Sequence, residues 1–330
     1  MAVPMIPPAA AAAFLAKAGW ANAEILPLAG DASFRRYFRV VAPGRQAVLM
    51  DAPPPHEDPR PFVKVAEYLT EIGLSAPAIL ARDLDAGLLL IEDFGDRRMR
   101  EAVDADPASE ASVYRGVVDV LIELHRHAPP ELPRHDLDNW LSELTLFTEW
   151  YCPHMGLNVD EAGFRAAWQA VLTPLENGPD ALVTELRDYH AENIMLTDGA
   201  GVSRYGLLDF QDARVGHPAY DLVSMLQDAR RDVSPDVEAA MLAHYMMATG
   251  RGAAFETAYW ALGAQRNTRI LGVFVRLWKR DDKPHYRTFQ ARMWGLLERD
   301  LAHPGLVPVR AWFDVNVPAE ARAAAWAQYA

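Results

Sequence analysis

Positive charge is scarce in this sequence: 32 lysines and arginines face 45 aspartates and glutamates, a net charge of −13 over 330 residues. Such a balance repels phosphate backbones and anionic lipid surfaces, so nucleic acid and membrane are not expected partners and small molecules or proteins remain. Cysteine is nearly absent. Cys152, the one present, can make neither an intramolecular disulfide nor a metal cluster by itself, which fits a reducing cytoplasm and a free structural thiol. No apolar run approaches the ~20 residues that a bilayer span requires. The apolar stretch near the start has no positively charged region before it, and Pro7 and Pro8 precede the alanines, so it does not read as an export signal. The expectation is a cytoplasmic protein. Internal repeats and low-complexity tails are lacking as well.

What is present is ample apolar content. Hydrophobic residues make up 51%, including 12 Phe, 11 Tyr and 9 Trp, enough to build a core without staples. At ~100–200 residues per domain the length predicts two packed units. A short helix from about Ala10 to Lys17, ended by Gly19, precedes three strands over residues 25–50, broken at Gly30-Asp31 and Pro43-Gly44. Alternation from Ser33 to Val40 puts Phe34, Arg36, Phe38 and Val40 on one face and Arg35, Tyr37 and Arg39 on the other. After a proline-rich loop, Phe62, Val65, Ala66 and Leu69 mark a helix that stops at Gly73 and Pro77. Residues 79–82 and 87–91 read as a hairpin. From Ala111 onward Val113, Val117, Val120, Leu121 and Leu124 recur at helical spacing. The later part is helical except for two short strand-like runs around 182–215. The fold class is therefore α+β, with a small antiparallel-sheet lobe over 1–92 and a larger, mainly helical lobe over 93–330, the change of character falling at 92–95.

The segment richest in chemistry is Leu186-Arg187-Asp188-Tyr189-His190-Ala191-Glu192-Asn193, followed by Asp209 after the apolar pair Leu207-Leu208. Asp and Asn also shape turns, and either alone would be read that way. An Asp, an Asn five residues later and an Asp after a short strand are together what phosphoryl transfer on a protein-kinase-like bilobal scaffold uses. In that reading Asp188 orients the acceptor hydroxyl and takes its proton. Asn193 and Asp209 hold Mg²⁺ against the phosphates of ATP, hard oxygen ligands being suited to that ion.

On these residues the sequence resembles the aminoglycoside phosphotransferase and choline kinase-like family, whose motif is His-x-Asp-x-x-x-x-Asn followed by an Asp on the next strand. Two departures stand out. Leu186 occupies the position of the motif histidine, and the strand Ala47-Val48-Leu49-Met50 ends in Met50 where kinases carry a phosphate-binding lysine. Arg35, Arg36 and Lys64 are the candidate replacements, and Glu67 on the following helix is expected to lack its usual partner. Asp93-Phe94-Gly95 precedes the catalytic loop and so is not the kinase metal motif. Its position implies a hinge whose backbone at Glu92 and Phe94 meets adenine. Gly30-Asp31-Ala32-Ser33 lies where the family places its phosphate-covering loop, so Ser33 joins the nucleotide candidates, although a plain hairpin turn explains it equally well.

Asp221 is expected to cap a helix starting at Leu222, and the resemblance adds that an Asp here supports the catalytic loop. His190 and His217, with no clustered second ligand, read as structural. Helices at 137–155 and 255–280 should flank the acceptor. There Glu143, Arg266 and Arg269, with Asp188, are the acceptor-binding candidates. Arg266 shares a stripe with Tyr259, Leu262, Gly263, Ile270, Val273, Phe274 and Leu277, and a cation there either packs its stem or reaches a substrate carboxylate. More closely still, residues 30–39, 91–96 and 186–190 look like the anomeric N-acetylmuramate/N-acetylglucosamine kinases of bacterial cell-wall recycling. That resemblance implies ATP-dependent phosphorylation of a sugar C1 hydroxyl. An aminoglycoside or amino-alcohol kinase and a catalytically impaired nucleotide-binding scaffold are the competing readings.

Overall fold

The computed structural model describes residues 5–28, 34–178, 180 and 182–329. They form two compact units, one of residues 1–108 with 192–212 and one of residues 109–191 with 213–330.

In the first unit, α1 (Ala11–Lys17) precedes a five-stranded antiparallel sheet of β1 (Glu24–Pro27), β2 (Arg36–Ala42), β3 (Arg45–Asp51), β4 (Ile79–Asp83) and β5 (Leu88–Ile91), ordered β1-β2-β3-β5-β4. Alternation decides which face is covered: Phe38, Val40, Ala47, Leu49, Leu88 and Leu90 pack against Ala11, Phe14 and Leu15 of α1 and against Trp20. Met50 lies in the other set, paired in register with Tyr37 and Leu89 and fully buried. Helix α2 (Arg60–Glu71) begins with Pro61 in its first turn, where a missing N–H costs nothing, and buries Phe62, Val63, Val65, Ala66 and Leu69.

The chain does not divide at residue 92. Segment 92–95 and α3 (Met99–Ala105) stay with the first unit, and residues 192–212 return to it. The returning piece is a hairpin of β7 (Ile194–Leu196) and β8 (Tyr205–Leu207), whose Leu207 N–H bonds the Ser75 carbonyl at 2.7 Å and whose Leu196 N–H bonds that of Arg97 at 2.7 Å. Backbone pairing outweighs sequence separation here. Gly206 is required on β8 because Phe94 lies over it: a Cβ would sit 2.6 Å from the ring.

The second unit is built from α4 (Glu110–Leu124), α5 (Leu137–Leu146), a π-helical turn over Phe147–Tyr151, the short α6 (Cys152–His154), α7 (Glu161–Glu176), α8 (Ala219–Leu226), α9 (Pro235–Thr249), α10 (Ala253–Lys279), α11 (Gln290–Leu301) and α12 (Val307–Asn316). Strands β6 (Val183–Glu185) and β9 (Arg214–Gly216) pair antiparallel. Residues 182–215 thus hold four short strands in two separate pairs, not two, since three-residue strands give alternation too little length to register. Helix α10 is the 27-residue axis of this unit and is buried on every side from Ala261 to Thr268. Within that segment the expected apolar stripe is not a separate face, whereas beyond it burial is one-sided again, with Ile270 and Phe274 buried and Arg269, Val273 and Arg276 half-buried. Gly272 permits the close crossing with α5: a Cβ there would lie 2.2 Å from the Leu146 carbonyl oxygen. Among the described residues no helix is long and apolar enough to cross a membrane.

Candidate active site

The hairpin that rejoins the first unit brings Asn193 and Asp209 together. Ile194 pairs with Leu207, and one residue further the Leu208 N–H bonds the Asn193 carbonyl at 3.0 Å. Asp209 follows in the left-handed region at φ 58°, a conformation that Asp tolerates better than most residues but that still costs on the order of 1 kcal/mol. Phe210 stacks on Phe62 of α2 with ring centroids 4.9 Å apart, which anchors the turn. The Gln211 amide donates to Asp209 Oδ1 at 2.9 Å and to Asp212 Oδ2 at 3.2 Å, and Arg35 Nη2 reaches the same Asp209 oxygen at 3.4 Å. No group of three His, Cys, Asp or Glu arranged to hold a metal ion occurs among the described residues. Asn193 and Asp209 instead offer two hard oxygen donors at one hairpin end, a set suited to Mg²⁺, which takes one or two protein ligands and fills its octahedron with phosphate and water.

The other nucleotide candidates separate by their partners. Arg36 lies opposite Asp51 across β2 and β3 and donates to its carboxylate from Nε at 2.8 Å. Arg35 ion-pairs with Asp209 at 3.4 Å and Glu57 at 3.6 Å, and although burial works against its charge, Tyr37 and then Asp209, Glu57 and Asp212 hold its pKa above the ordinary value. Lys64 is exposed on α2. Glu67, without a lysine at position 50, pairs with Arg82 on β4 at 2.9 Å. Ser33 and the Gly30–Ser33 turn lie outside the described residues. At 92–95 the backbone is braced by side chains: Arg39 Nε donates to Asp93 Oδ2 at 2.6 Å, and Asp93 Oδ1 accepts from the Gly95 N–H at 2.8 Å. The Glu92 N–H is used internally, donating to the Ala78 carbonyl at 2.9 Å.

In the second unit the loop carrying Asp188 is clamped at both ends by buried carboxylates on and just beyond α8. Asp221 accepts from the N–H groups of Leu186 at 2.6 Å and Arg187 at 2.8 Å, and Asp228 accepts from that of Ala191 at 3.2 Å. Asp221 is therefore not a helix cap. It sits inside the first turn of α8, which begins at Ala219, and supports the loop. Burial, and next the negative charge of Glu185, push its carboxyl up to about 8 despite the two N–H bonds. Leu186 is buried, so apolar packing fills the place of the motif histidine while the carboxylates order the backbone. Arg187 is held at φ 70°, and its side chain pairs with Glu143 of α5 at 2.5 Å.

Glu143 is a hub, with Arg269 Nε at 3.5 Å and His135 Nε2 at 3.5 Å as further partners. Burial alone would raise its carboxyl, yet Arg269, His135 and Arg187 hold it below the ordinary carboxylate range. Glu143, expected as an acceptor ligand, is thus tied to the loop through Arg187. His135 also bonds Glu185 Oε1 at 2.7 Å, and the two carboxylates keep this buried imidazole's pKa above its usual value against the opposing effect of burial. Arg266 is 4% exposed, and its Nη1 hydrogen-bonds to nothing among the described residues. Burial lowers its pKa, while Tyr220, Asp228 and Asp188 act in the opposite direction. The charge of Asp188 is felt by Arg187, Arg266 and Arg269 alike. His190 bonds Arg230 at 3.1 Å and His217 accepts from the Ala219 N–H at 3.2 Å, both structural uses.

Loss of the Asp221 clamp should be measurable. Asp221→Ala would leave two N–H groups buried without partners, at about 1–3 kcal/mol each, and should lower the melting temperature accordingly. Asp221→Asn keeps an acceptor and should retain most of that stability. Because the folded-state pKa lies above the unfolded one, this group's contribution is full below pH ~4 and fades as the pH rises through 8, so Asp221→Asn should flatten the decline in melting temperature over that window.

The sequence profile described as the phosphotransferase enzyme family matches residues 24–255. The chain belongs to this family. An N-acetylmuramate/N-acetylglucosamine kinase of Caulobacter vibrioides is 38% identical, the alignment covering 95% of this chain and 98% of that one. Among solved structures, a choline/ethanolamine kinase family protein of Mesorhizobium loti superposes with a TM-score of 0.63 at 17% identity over 92% of this chain and 97% of its own. An ADP-bound aminoglycoside phosphotransferase gives 0.57 at 15% identity over 83% and 92%. The two share the protein-kinase-like fold with this phosphotransferase. Its clamp carboxylate Asp228, its salt-bridge hub and the Phe62–Phe210 stack were not foreseen. Asp228 lies seven residues beyond Asp221, past the end of α8.

Proposed function

We propose that this phosphotransferase is an ATP- and Mg²⁺-dependent kinase acting on the anomeric hydroxyl of N-acetylmuramate and N-acetylglucosamine in the cytoplasm. The observation that carries the substrate is the 38% identity extending over 98% of a relative named for that activity. In the proposed reaction the sugar C1 oxygen bonds the γ-phosphorus, the bond from that phosphorus to the β–γ bridging oxygen breaks, and ADP leaves. Asp188 orients the hydroxyl and receives its proton. Asn193 and Asp209 hold Mg²⁺, which when bound neutralises charge on the phosphates. The Glu92 carbonyl and Phe94 N–H meet the adenine edge, while Ser33 and Arg35 serve the phosphates and Arg36, a third candidate, is engaged by Asp51. The cations of the second unit support a carboxylate-bearing acceptor: among the described residues Arg266 Nη1, and Arg269 Nε beside Glu143, are buried nitrogens without a hydrogen bond.

The test is ADP release with N-acetylmuramate, N-acetylglucosamine, an aminoglycoside and choline as acceptors. Turnover of the two sugars is expected. Turnover of only the latter two would replace the substrate assignment, and no turnover at all would favour a nucleotide-binding scaffold. Arg266→Ala should reduce kcat/KM for N-acetylmuramate more than for N-acetylglucosamine, because only the former carries a lactyl carboxylate. The difference expected for a lost charge-assisted contact is about 1–3 kcal/mol. Equal losses with a lowered melting temperature would make Arg266 a structural ion-pair partner, with Asp228, whose charge acts on it, a candidate anion. Arg269, already beside Glu143, should show the weaker selectivity effect of the two.

A further inference from the structure

The first unit contains a cation whose partner is the residue assigned above to the metal. Arg35 immediately precedes β2, and its guanidinium contacts Asp209 at 3.4 Å and Glu57 at 3.6 Å. Arg36 pairs with Asp51 at 2.8 Å and Arg39 with Asp93 at 2.6 Å. Met50, at the position of the usual phosphate-binding lysine, is apolar and buried, and Lys64 is exposed. Asp209, Asp212 and Glu57 all act electrostatically on Arg35, so they form an acidic group that would repel a triphosphate unless a cation offsets it.

We propose that Arg35 serves two partners in turn: it holds the Asp209 carboxylate while the nucleotide is absent, and it transfers to the nucleotide phosphates when the nucleotide arrives with its divalent cation. The charge balance drives the exchange. Bound alone, a divalent ion must displace a guanidinium from Asp209. Bound with ATP, it leaves that guanidinium a polyanion to pair with, and Arg35 then supplies the charge that the residue at position 50 does not. Metal and nucleotide consequently bind as a unit, and free metal binds weakly. This inference rests on the proposed assignment of Asp209 to the metal.

Electron paramagnetic resonance of Mn²⁺ added to nucleotide-free protein reads the metal site, and calorimetry with the magnesium salt of a non-hydrolysable ATP analogue reads the nucleotide site. Arg35→Ala is expected to bind free Mn²⁺ about tenfold more tightly than the wild type and the nucleotide at least about tenfold more weakly, the scale of a charge-assisted contact. Arg35→Lys, which keeps the charge, should recover much of the nucleotide affinity and guards against a folding defect. Unchanged Mn²⁺ affinity in Arg35→Ala, or unchanged nucleotide affinity, would overturn the two-partner role. Asp209→Asn separates the two levels. If it weakens metal and nucleotide binding while Arg35→Ala alters neither, only this inference fails; if Asp209→Asn alters neither, the metal assignment itself fails.

Discussion

Asp188→Asn should lower kcat by about 10²–10⁴-fold while leaving the affinity for MgATP essentially unchanged, as expected for loss of a positioned proton acceptor that makes no nucleotide contact. The substitution preserves side-chain size. The clamps from Asp221 and Asp228 act on the backbone at Leu186, Arg187 and Ala191, not on the Asp188 carboxylate, so loop geometry should survive. Single-turnover kinetics with N-acetylglucosamine, set beside calorimetry of nucleotide binding, make the separation. A variant that retains most of its kcat would remove Asp188 from the role of base, and one that loses nucleotide affinity in parallel would place the defect in folding or in the loop.

Asp209→Ala is expected to have a comparably large effect of a different kind: loss of Mg²⁺-dependent nucleotide binding, with turnover failing because the phosphates are no longer held. Calorimetric titrations with ATP in the presence and absence of Mg²⁺ provide the measurement. In the wild type the metal should strengthen binding markedly, and in the variant that difference should disappear. An unaltered Mg²⁺ dependence would count against both Asp209 and its hairpin partner Asn193. Removal of Mg²⁺ from the wild type by chelation should reproduce the loss of turnover, reversibly.

Much of the candidate site was legible because its parts lie close in the chain. Asp188 and Asn193 are five residues apart and Asp209 follows one short hairpin, so local turn and strand chemistry suffices to bring Asn193 beside Asp209. The hairpins of the sheet were legible for the same reason: β2–β3 and β4–β5 are antiparallel neighbours joined by short turns, with Phe38, Val40 and Leu49 alternating inward, whereas the β3–β5 pairing joins strands separated in the chain by α2 and β4. Boundaries were read less well. The return of residues 192–212 to the first unit depends on hydrogen bonds to Ser75 and Arg97, partners that no local pattern announces.

The sequence by itself determined the residue types that chemistry requires, the order in which they occur, and the alternation of strands and helices that carries them. Which charge faces which was decided only by tertiary structure. Arg35 and Arg36 are adjacent in the chain, yet one meets Asp209, 174 residues away, and the other meets Asp51, 15 residues away. Arg266 and Glu143 were both candidates for the acceptor, Arg266 the first choice; folding sets Glu143 beside Arg187, Arg269 and His135, and it buries Arg266 with one guanidinium nitrogen that has no hydrogen bond among the described residues. The physical reason is the range of the forces involved. Hydrogen-bonded turns and apolar periodicity act over a few residues and so leave a mark in the sequence, whereas a charge is matched by whatever folding brings within a few ångströms of it, and that depends on the whole chain.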